Sequence, residues 1–129
     1  MELATLMMDA YVGTIDYDGE TYAEAVEEVN GIFEHEALLN ESRVAERDGV
    51  IHSAVLVSLV EGGAFIGYAM TRAGDKSKGL ASALLDLSAE AIWAAGYDRI
   101  RAFITEGNLP SERIFTRAGF EVVGTIETE

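Results

Sequence analysis

The chain has 129 residues, no cysteine and a formal net charge of −14, and 49% of its residues are hydrophobic. This length and composition predict a single domain, residues 1–129, with enough apolar material for a core. The lack of cysteine excludes disulfides, a cysteine nucleophile and cysteine-based metal sites, and the acidity argues against nucleic acids or anionic membranes as partners.

The acidic residues are concentrated toward the N-terminus. Of the 23 Asp and Glu residues, 11 lie in the first 42 positions, which contain no Lys or Arg. This distribution either favours a cationic partner or serves only to keep the protein soluble. Because no apolar run reaches transmembrane length and the first residues lack a basic signal region, we expect a cytoplasmic protein.

Apolar periodicity and turn residues predict four helices and five strands. In chain order these are helices at 2–12 and 21–33, strands at 42–45, 50–60 and 64–71, a helix at 80–95, a strand at 98–105, a helix at 111–117 and a strand at 120–126. The strands at 50–60 and 64–71 are expected to form an antiparallel hairpin. Gly67 interrupts the second of them, which indicates either a β-bulge or a simple packing adjustment.

Helical spacing also predicts which side chains are buried. The expected apolar stripe of the second helix is Tyr22, Val26, Val29 and Phe33. That of the central helix is Leu80, Leu84, Leu87, Ala91 and Ala94, with Ala81, Leu85, Ile92 and Ala95 beside it. Trp93 falls on the polar face of the central helix, where an exposed indole is compatible with a homodimer contact or with packing under a loop.

The most informative stretch of the sequence runs from Lys76 to Gly96. Lys76 and Lys78, two of only nine basic residues, precede the long central helix, which starts after Gly79. The first amides of a helix have no intrahelical partner, and glycine lets an anion approach the backbone closely. The stretch therefore predicts a phosphate site, although it also suits an ordinary solvated loop and contains no nucleotide P-loop motif.

Two segments resemble motifs of the GNAT superfamily of N-acetyltransferases. The segment similar to motif A, whose pattern is Arg/Gln-x-x-Gly-x-Gly/Ala, is Lys76-x-x-Gly79-x-Ala81. The segment similar to motif B, Asn-x-x-Ala-x-x-x-Tyr-x-x-x-Gly-Phe, is Asn108-x-x-Ser111-x-x-x-Phe115-x-x-x-Gly119-Phe120. The likeness covers residues 43–129, and residues 9–20 also resemble one bacterial and archaeal branch of the superfamily.

The resemblance implies the GNAT acyl-CoA N-acyltransferase fold. This is an α/β (α+β) arrangement with a mixed, mainly antiparallel sheet flanked by helices, here without the family's usual first strand. The implied reaction is direct transfer of an acetyl group from acetyl-CoA to a primary amine of a small molecule or peptide, without a metal. The acidic N-terminal third favours a cationic acceptor.

The resemblance also implies a CoA site on three segments. The expected residues are Tyr68, Ala69, Met70 and Thr71 on the strand, Lys76, Ser77, Lys78, Gly79, Leu80, Ala81 and Ser82 in motif A, and Asn108, Ser111 and Phe115 in motif B. Motif A would bind the pyrophosphate and the strand would hold the pantetheine arm. Phe115 stands where many family members have a Tyr that protonates the leaving thiolate, which favours a non-catalytic CoA-binding or regulatory protein as the alternative function.

The sequence leaves the general base open. Glu106, which follows a predicted core strand, is the first choice for this catalytic residue. The alternatives are a water relay or one of Asp16, Glu20, His35 and His52. Asp16, Asp18 and Glu20 do not have the spacing of an EF-hand, so we expect no metal site there.

Overall fold

The computed structural model describes residues 2–11, 19, 21–34, 37–76, 78–105 and 107–124. In chain order its elements are α1 (Glu2–Tyr11), α2 (Tyr22–Glu34), β1 (Arg43–Arg47), β2 (Val50–Val60), β3 (Gly63–Thr71), a 3-10 turn (Ala73–Asp75), α3 (Leu80–Ala94), β4 (Ile100–Ala102) and α4 (Leu109–Arg117). The predicted helices are confirmed, and β2 has the predicted limits. None of the helices in this described part is long and apolar enough to cross a membrane.

The four strands form one mixed sheet in the order β1-β2-β3-β4. β1, β2 and β3 are antiparallel neighbours, whereas β4 lies parallel to β3 after a crossover through α3. Two-residue turns at Asp48-Gly49 and Glu61-Gly62 connect the antiparallel strands, and all four residues have φ between 51° and 78°. Such turns match the twist of paired strands. The predicted α+β fold with a mainly antiparallel sheet is thus confirmed.

The sheet separates two hydrophobic cores. On one face, α1 and α2 pack around fully buried residues that include Leu6, Val29 and Met70. On the other face, α3 and α4 pack around residues that include Leu85 and Ile92. Helices therefore cover both faces of the sheet, and any opening within the sheet connects the two layers.

The prediction of the buried apolar stripe of α2 is wrong at both ends of the helix. Tyr22 and Phe33 are exposed, whereas the small side chain of Ala25 is buried together with Val29. A short side chain lets the helix backbone approach the layer beneath it, so α2 packs through Ala25 rather than through the larger neighbouring rings.

The stripe of α3 is also narrower than predicted. Its buried line runs through Leu84, Ser88 and Ile92, and Leu87 is exposed. Leu87 lies roughly 100° around the helix from the centre of that line, because each residue turns the helix by about 100°. Trp93 is exposed, as its place on the polar face predicts.

The predicted strand at 120–126 is not formed in its described part. Residues 120–124 are irregular, and Val122 and Val123 are exposed. The ring of Phe120 instead packs edge-on against Phe115, with 5.0 Å between centroids. Alternating residues form a strand only beside a partner, and β4, at Ile100–Ala102, is much shorter than its predicted span of 98–105. Residues 125–126 lie outside the described part.

Leu85 and Leu87 offer a direct test of the packing of α3. Truncation of the fully buried Leu85 in L85A leaves a cavity under the helix, so we expect a loss of about 2–5 kcal/mol in the free energy of unfolding. L87A is the matched control and should change stability by less than about 0.5 kcal/mol, because Leu87 is exposed. Urea denaturation measures both values, and similar losses in the two variants would contradict the observed orientation of α3.

Candidate functional site

Gly67 lies at a β-bulge in β3. The ladder with β2 skips Gly67, which is therefore the extra residue on the bulged strand. Pairing of β3 with β4 ends at Ile66, whereas β3 continues to Thr71. The two strands thus separate beyond the bulge, and the sheet opens there. Of the two interpretations that the sequence left open for Gly67, a β-bulge or a packing adjustment, the structure shows the bulge.

A cavity of about 240 Å³ occupies this opening. Tyr11 of α1 and Glu28 of α2 line it from one face of the sheet. Ser111 and Phe115 of α4 line it from the other face. The cavity therefore reaches through the sheet between the two helical layers.

Five of the residues expected to bind CoA line this cavity. They are Tyr68, Ala69, Asn108, Ser111 and Phe115. The side chains of two others are engaged elsewhere: Met70 is fully buried under α1 and α2, and the Thr71 hydroxyl is 2.9 Å from the Ser53 hydroxyl oxygen. At these two positions β3 can offer a ligand its backbone but not its side chains.

No side chain of the described residues caps the N-terminus of α3. Its N-cap is Gly79, with φ of 82°, and the first intrahelical bond runs from the Ala83 amide to the Gly79 carbonyl, at 3.0 Å. The amides at 80–82 precede that bond. In α2 and α4, by contrast, the side chains of Thr21 and Asn108 accept hydrogen bonds from the first turn. The first amides of α3 are thus available to an external acceptor, and space is open around Gly79.

The two lysines before α3 contact groups within the protein. The Lys76 ammonium donates a 2.7 Å hydrogen bond to the carbonyl of Ala10, at the end of α1, where the helix dipole favours a cation. The Lys78 nitrogen lies 3.5 Å from the Asp75 carboxylate, and its side chain is largely exposed. Lys76 therefore attaches the loop to α1, whereas the side chain of Lys78 lies close to solvent. Ser77 lies outside the described residues.

The segment that leads into the loop is fixed on two sides. The Ala73 amide donates a 2.7 Å hydrogen bond to the Asp9 carboxylate on α1. On the other side, Nδ1 of His52 on β2 lies 2.7 Å from the Asp75 carboxylate. This hydrogen bond holds the pKa of Asp75 below its ordinary value of 3.8, and the nearby Lys78 ammonium lowers it further. The backbone before α3 is thereby held between α1 and β2.

Most candidate bases are not at the described site. Glu106, Asp16, Glu20 and His35 lie outside the described residues. His52 is held against Asp75 and does not line the cavity. Among the residues that the structure describes, no group of three or more His, Asp or Glu side chains could hold a metal ion.

Glu28 is the site residue that the sequence analysis missed. Its carboxylate accepts a 2.5 Å hydrogen bond from the hydroxyl of Tyr68, which lies next to the bulge. The available signal was its place on α2 beside the buried Ala25 and Val29, at the margin of the apolar stripe. A Glu at such a margin is ordinarily a solvated surface residue, so helical spacing alone does not distinguish it.

A mixed sheet opens at a bulge, and the N-terminus of a helix with a glycine N-cap lies beside the opening. This arrangement is that of an α+β protein with the N-acetyltransferase fold. The family model for the acetyltransferase (GNAT) domain matches residues 5–121. The chain belongs to this family. No curated protein sequence matches it.

Several solved structures share the fold. Protein PH1933 from Pyrococcus horikoshii OT3 has a TM-score of 0.83 and 19% identity, with 98% of this chain and 83% of that chain covered. A GNAT family acetyltransferase from Brucella melitensis in complex with acetyl-CoA has a TM-score of 0.73 and 20% identity, covering 94% and 75%. Aminoglycoside N-acetyltransferase AAC(6')-Iy in complex with CoA has a TM-score of 0.73 and 15% identity, covering 98% and 84%.

The lowered pKa of Asp75 makes the stability of the protein depend on pH. Because the pKa of Asp75 is lowered by folding, its carboxylate stabilises the protein above pH 3.8, and this contribution is lost as the pH falls below that value. We expect D75N to be less stable than the natural protein at pH 7 and to approach it near pH 3.

Urea midpoints measured from pH 7 to pH 3 would reveal this convergence. D98N is the control, since Asp98 is exposed and makes no hydrogen bond or ion pair within the part of the chain that the structure describes. Equal behaviour of D75N and D98N at every pH would show that the Asp75 contact contributes nothing.

Proposed function

We propose that this protein is an N-acetyltransferase that transfers an acetyl group from acetyl-CoA directly to a primary amine of a small molecule or peptide. The observation that carries the proposal is the N-terminus of α3, with its glycine N-cap, beside the opening between β3 and β4. Membership of the GNAT family supports it. So do fold relatives in complex with acetyl-CoA and CoA.

In this proposal the pyrophosphate of CoA binds the first amides of α3. The cofactor is strongly anionic and the chain carries a net charge of −14, so binding depends on local donors. Gly79 and the amides at 80–82 supply them, and Lys78 adds positive charge from the exposed side. Lys76 contributes indirectly, because its bond to Ala10 holds the loop in place.

The pantetheine arm would enter between β3 and β4. Tyr68 and Ala69 line one side of this opening, and Asn108 and Ser111 of the α4 end line the other. The thioester carbonyl then lies near the bulge, where a backbone amide of β3 polarises it as negative charge develops during attack by the amine. The amine reaches the carbonyl from the layer formed by α1 and α2.

Protonation of the leaving thiolate needs a group other than Phe115. The phenyl ring of Phe115 lines the cavity but has no proton to donate. The hydroxyls of Tyr11 and Ser111 line the same cavity and can pass a proton, directly or through water. A non-catalytic CoA-binding or regulatory protein is the second candidate, and Phe115 is the observation that favours it.

Thermal stability in the presence of acetyl-CoA tests the cofactor site. At 100 times the dissociation constant, the ligand should stabilise the folded protein by about 2.7 kcal/mol, which raises Tm by about 10 °C. In G79L the new side chain obstructs the amides of α3, and the shift should be lost.

G49L is the matched control for G79L. Both glycines have positive φ, 78° and 82°, and neither has atoms within 4 Å of an added Cβ. Each substitution therefore costs about 1–2 kcal/mol of backbone strain, but G49L should keep the ligand shift. If millimolar acetyl-CoA fails to stabilise the natural protein, both the transferase and the CoA-binding proposals are wrong.

Phe115→Tyr tests the missing proton donor. A phenol at this position faces the cavity and restores a general acid, so we expect turnover to rise about tenfold or more. Release of free thiol from acetyl-CoA with a panel of primary amines measures the rate. F120Y is the control, because the ring of Phe120 contacts that of Phe115. This variant should leave the rate unchanged. Unchanged turnover in F115Y would mean that the proton already arrives by another route.

A further inference from the structure

Glu28 occupies the junction of two cavities. It lines the cavity that passes through the sheet, and it also lines an open groove of about 790 Å³ between α2 and the β2–β3 hairpin. Gly67 and Tyr68 line both spaces as well. A molecule that lies in the groove would therefore meet Glu28 at the point where it enters the sheet.

The Glu28 carboxylate is the only charged group in the described lining of the through-sheet cavity. The rest of that lining contains no Lys, Arg, His or Asp side chain. The three ion pairs found in the described part of the chain do not involve Glu28. A negative charge that pairs with no cation in the described part of the chain, at the mouth of an otherwise uncharged cavity, is suited to bind an ammonium group.

Tyr68 fixes the orientation of this carboxylate. Its hydroxyl donates to Oε1 of Glu28 at 2.5 Å, a distance typical of charge-assisted bonds. Tyr68 directly follows the bulge at Gly67, so the same extra residue that opens the sheet also sets where the hydroxyl lies. The contact joins α2 to β3 at the edge of the opening.

We propose that Glu28 binds the ammonium group of the acceptor and removes its proton, and that Tyr68 is the positioning residue for Glu28. This inference rests on the proposed acetyltransferase function. Glu28 takes one proton from the ammonium, and the freed lone pair of nitrogen forms a bond to the carbonyl carbon of the thioester. The carbon–sulfur bond breaks, and a second proton passes from nitrogen to the departing sulfur. Glu28 then returns its proton to solvent, so the products are an amide, a thiol and one proton.

The walls of the groove indicate the rest of the acceptor. Phe65 lines the groove, and its ring meets that of Phe103 edge-on with 5.0 Å between centroids. Phe103 is 71% exposed, so an aromatic surface continues into solvent beside the opening. This surface and the Glu28 carboxylate together match a primary amine carried on a short apolar or aromatic body.

Phenethylamine is the probe for this site, with acetyl-CoA as donor. At pH 7 we expect E28Q to lower kcat/KM for phenethylamine about 100-fold, because a general base contributes at least that factor. The acetyl-CoA thermal shift of E28Q should stay unchanged. E27Q is the matched control, since Glu27 is the neighbouring exposed acid on α2 and lines neither cavity.

The dependence on pH distinguishes proton removal from a structural role. As the pH rises, more of the amine is already deprotonated in solution, so the deficit of E28Q should shrink to about tenfold or less by pH 9.5. Y68F should show a smaller deficit, about tenfold at pH 7, with the same recovery. The other titratable groups that line the two spaces are Tyr11, Tyr68 and Glu61, and all remain in place in E28Q.

The outcomes separate this inference from the proposed function. Absence of any acetyl-CoA shift in the natural protein would overturn the proposed function and this inference with it. A normal shift without acetylation of phenethylamine, or with equal kcat/KM in E28Q and E27Q, would overturn the inference alone. A deficit in E28Q that stays constant from pH 7 to pH 9.5 would overturn the role of Glu28 as the base.

Discussion

The extra residue at Gly67 is the constraint on which the site depends. Without it, β3 would continue its ladder with β2 unshifted, and Tyr68 would point to the opposite face of the sheet. With it, β3 leaves β4 after Ile66 and a cavity forms between two strands of one sheet. The bulge therefore creates both the passage between the two helical layers and the contact from Tyr68 to Glu28.

In the proposed cofactor site, a strongly acidic chain would bind an anion through its backbone. Backbone amides supply partial positive charge at a fixed place without adding net charge, and a glycine N-cap has no side chain of its own to compete for them. The neighbouring side chains mainly hold the backbone: Lys76 is bonded to Ala10, and Asp75 to His52. Because these contacts reach α1 and β2, the position of the loop depends on how α1 packs against the sheet.

The two sides of the opening carry different chemical groups. In the described lining, the layer of α1 and α2 carries the carboxylate of Glu28, which is suited to a cationic amine. The α4 side carries Asn108, Ser111 and Phe115, which are polar or apolar but uncharged. In the proposed reaction the amine loses its proton on the first side, and the sulfur receives one on the second. The concentration of acidic residues in the first third of the chain is consistent with an acceptor that enters from that side.

The residues left Gly67 as either a bulge or a packing adjustment, and the pairing with β2 shows the bulge. The features that the residues alone predicted arise from short-range contacts: the helices, the hairpin limits and the glycine start of α3. These follow from turn chemistry and periodicity within a few residues. Tertiary packing, in contrast, determines that Leu87 is exposed, that residues 120–124 form no strand, and that Lys76 faces α1. It also brought Tyr68 to Glu28, 40 residues away along the chain. Such contacts depend on the angle at which a helix docks and on whether a strand finds a partner, and local residue patterns specify neither.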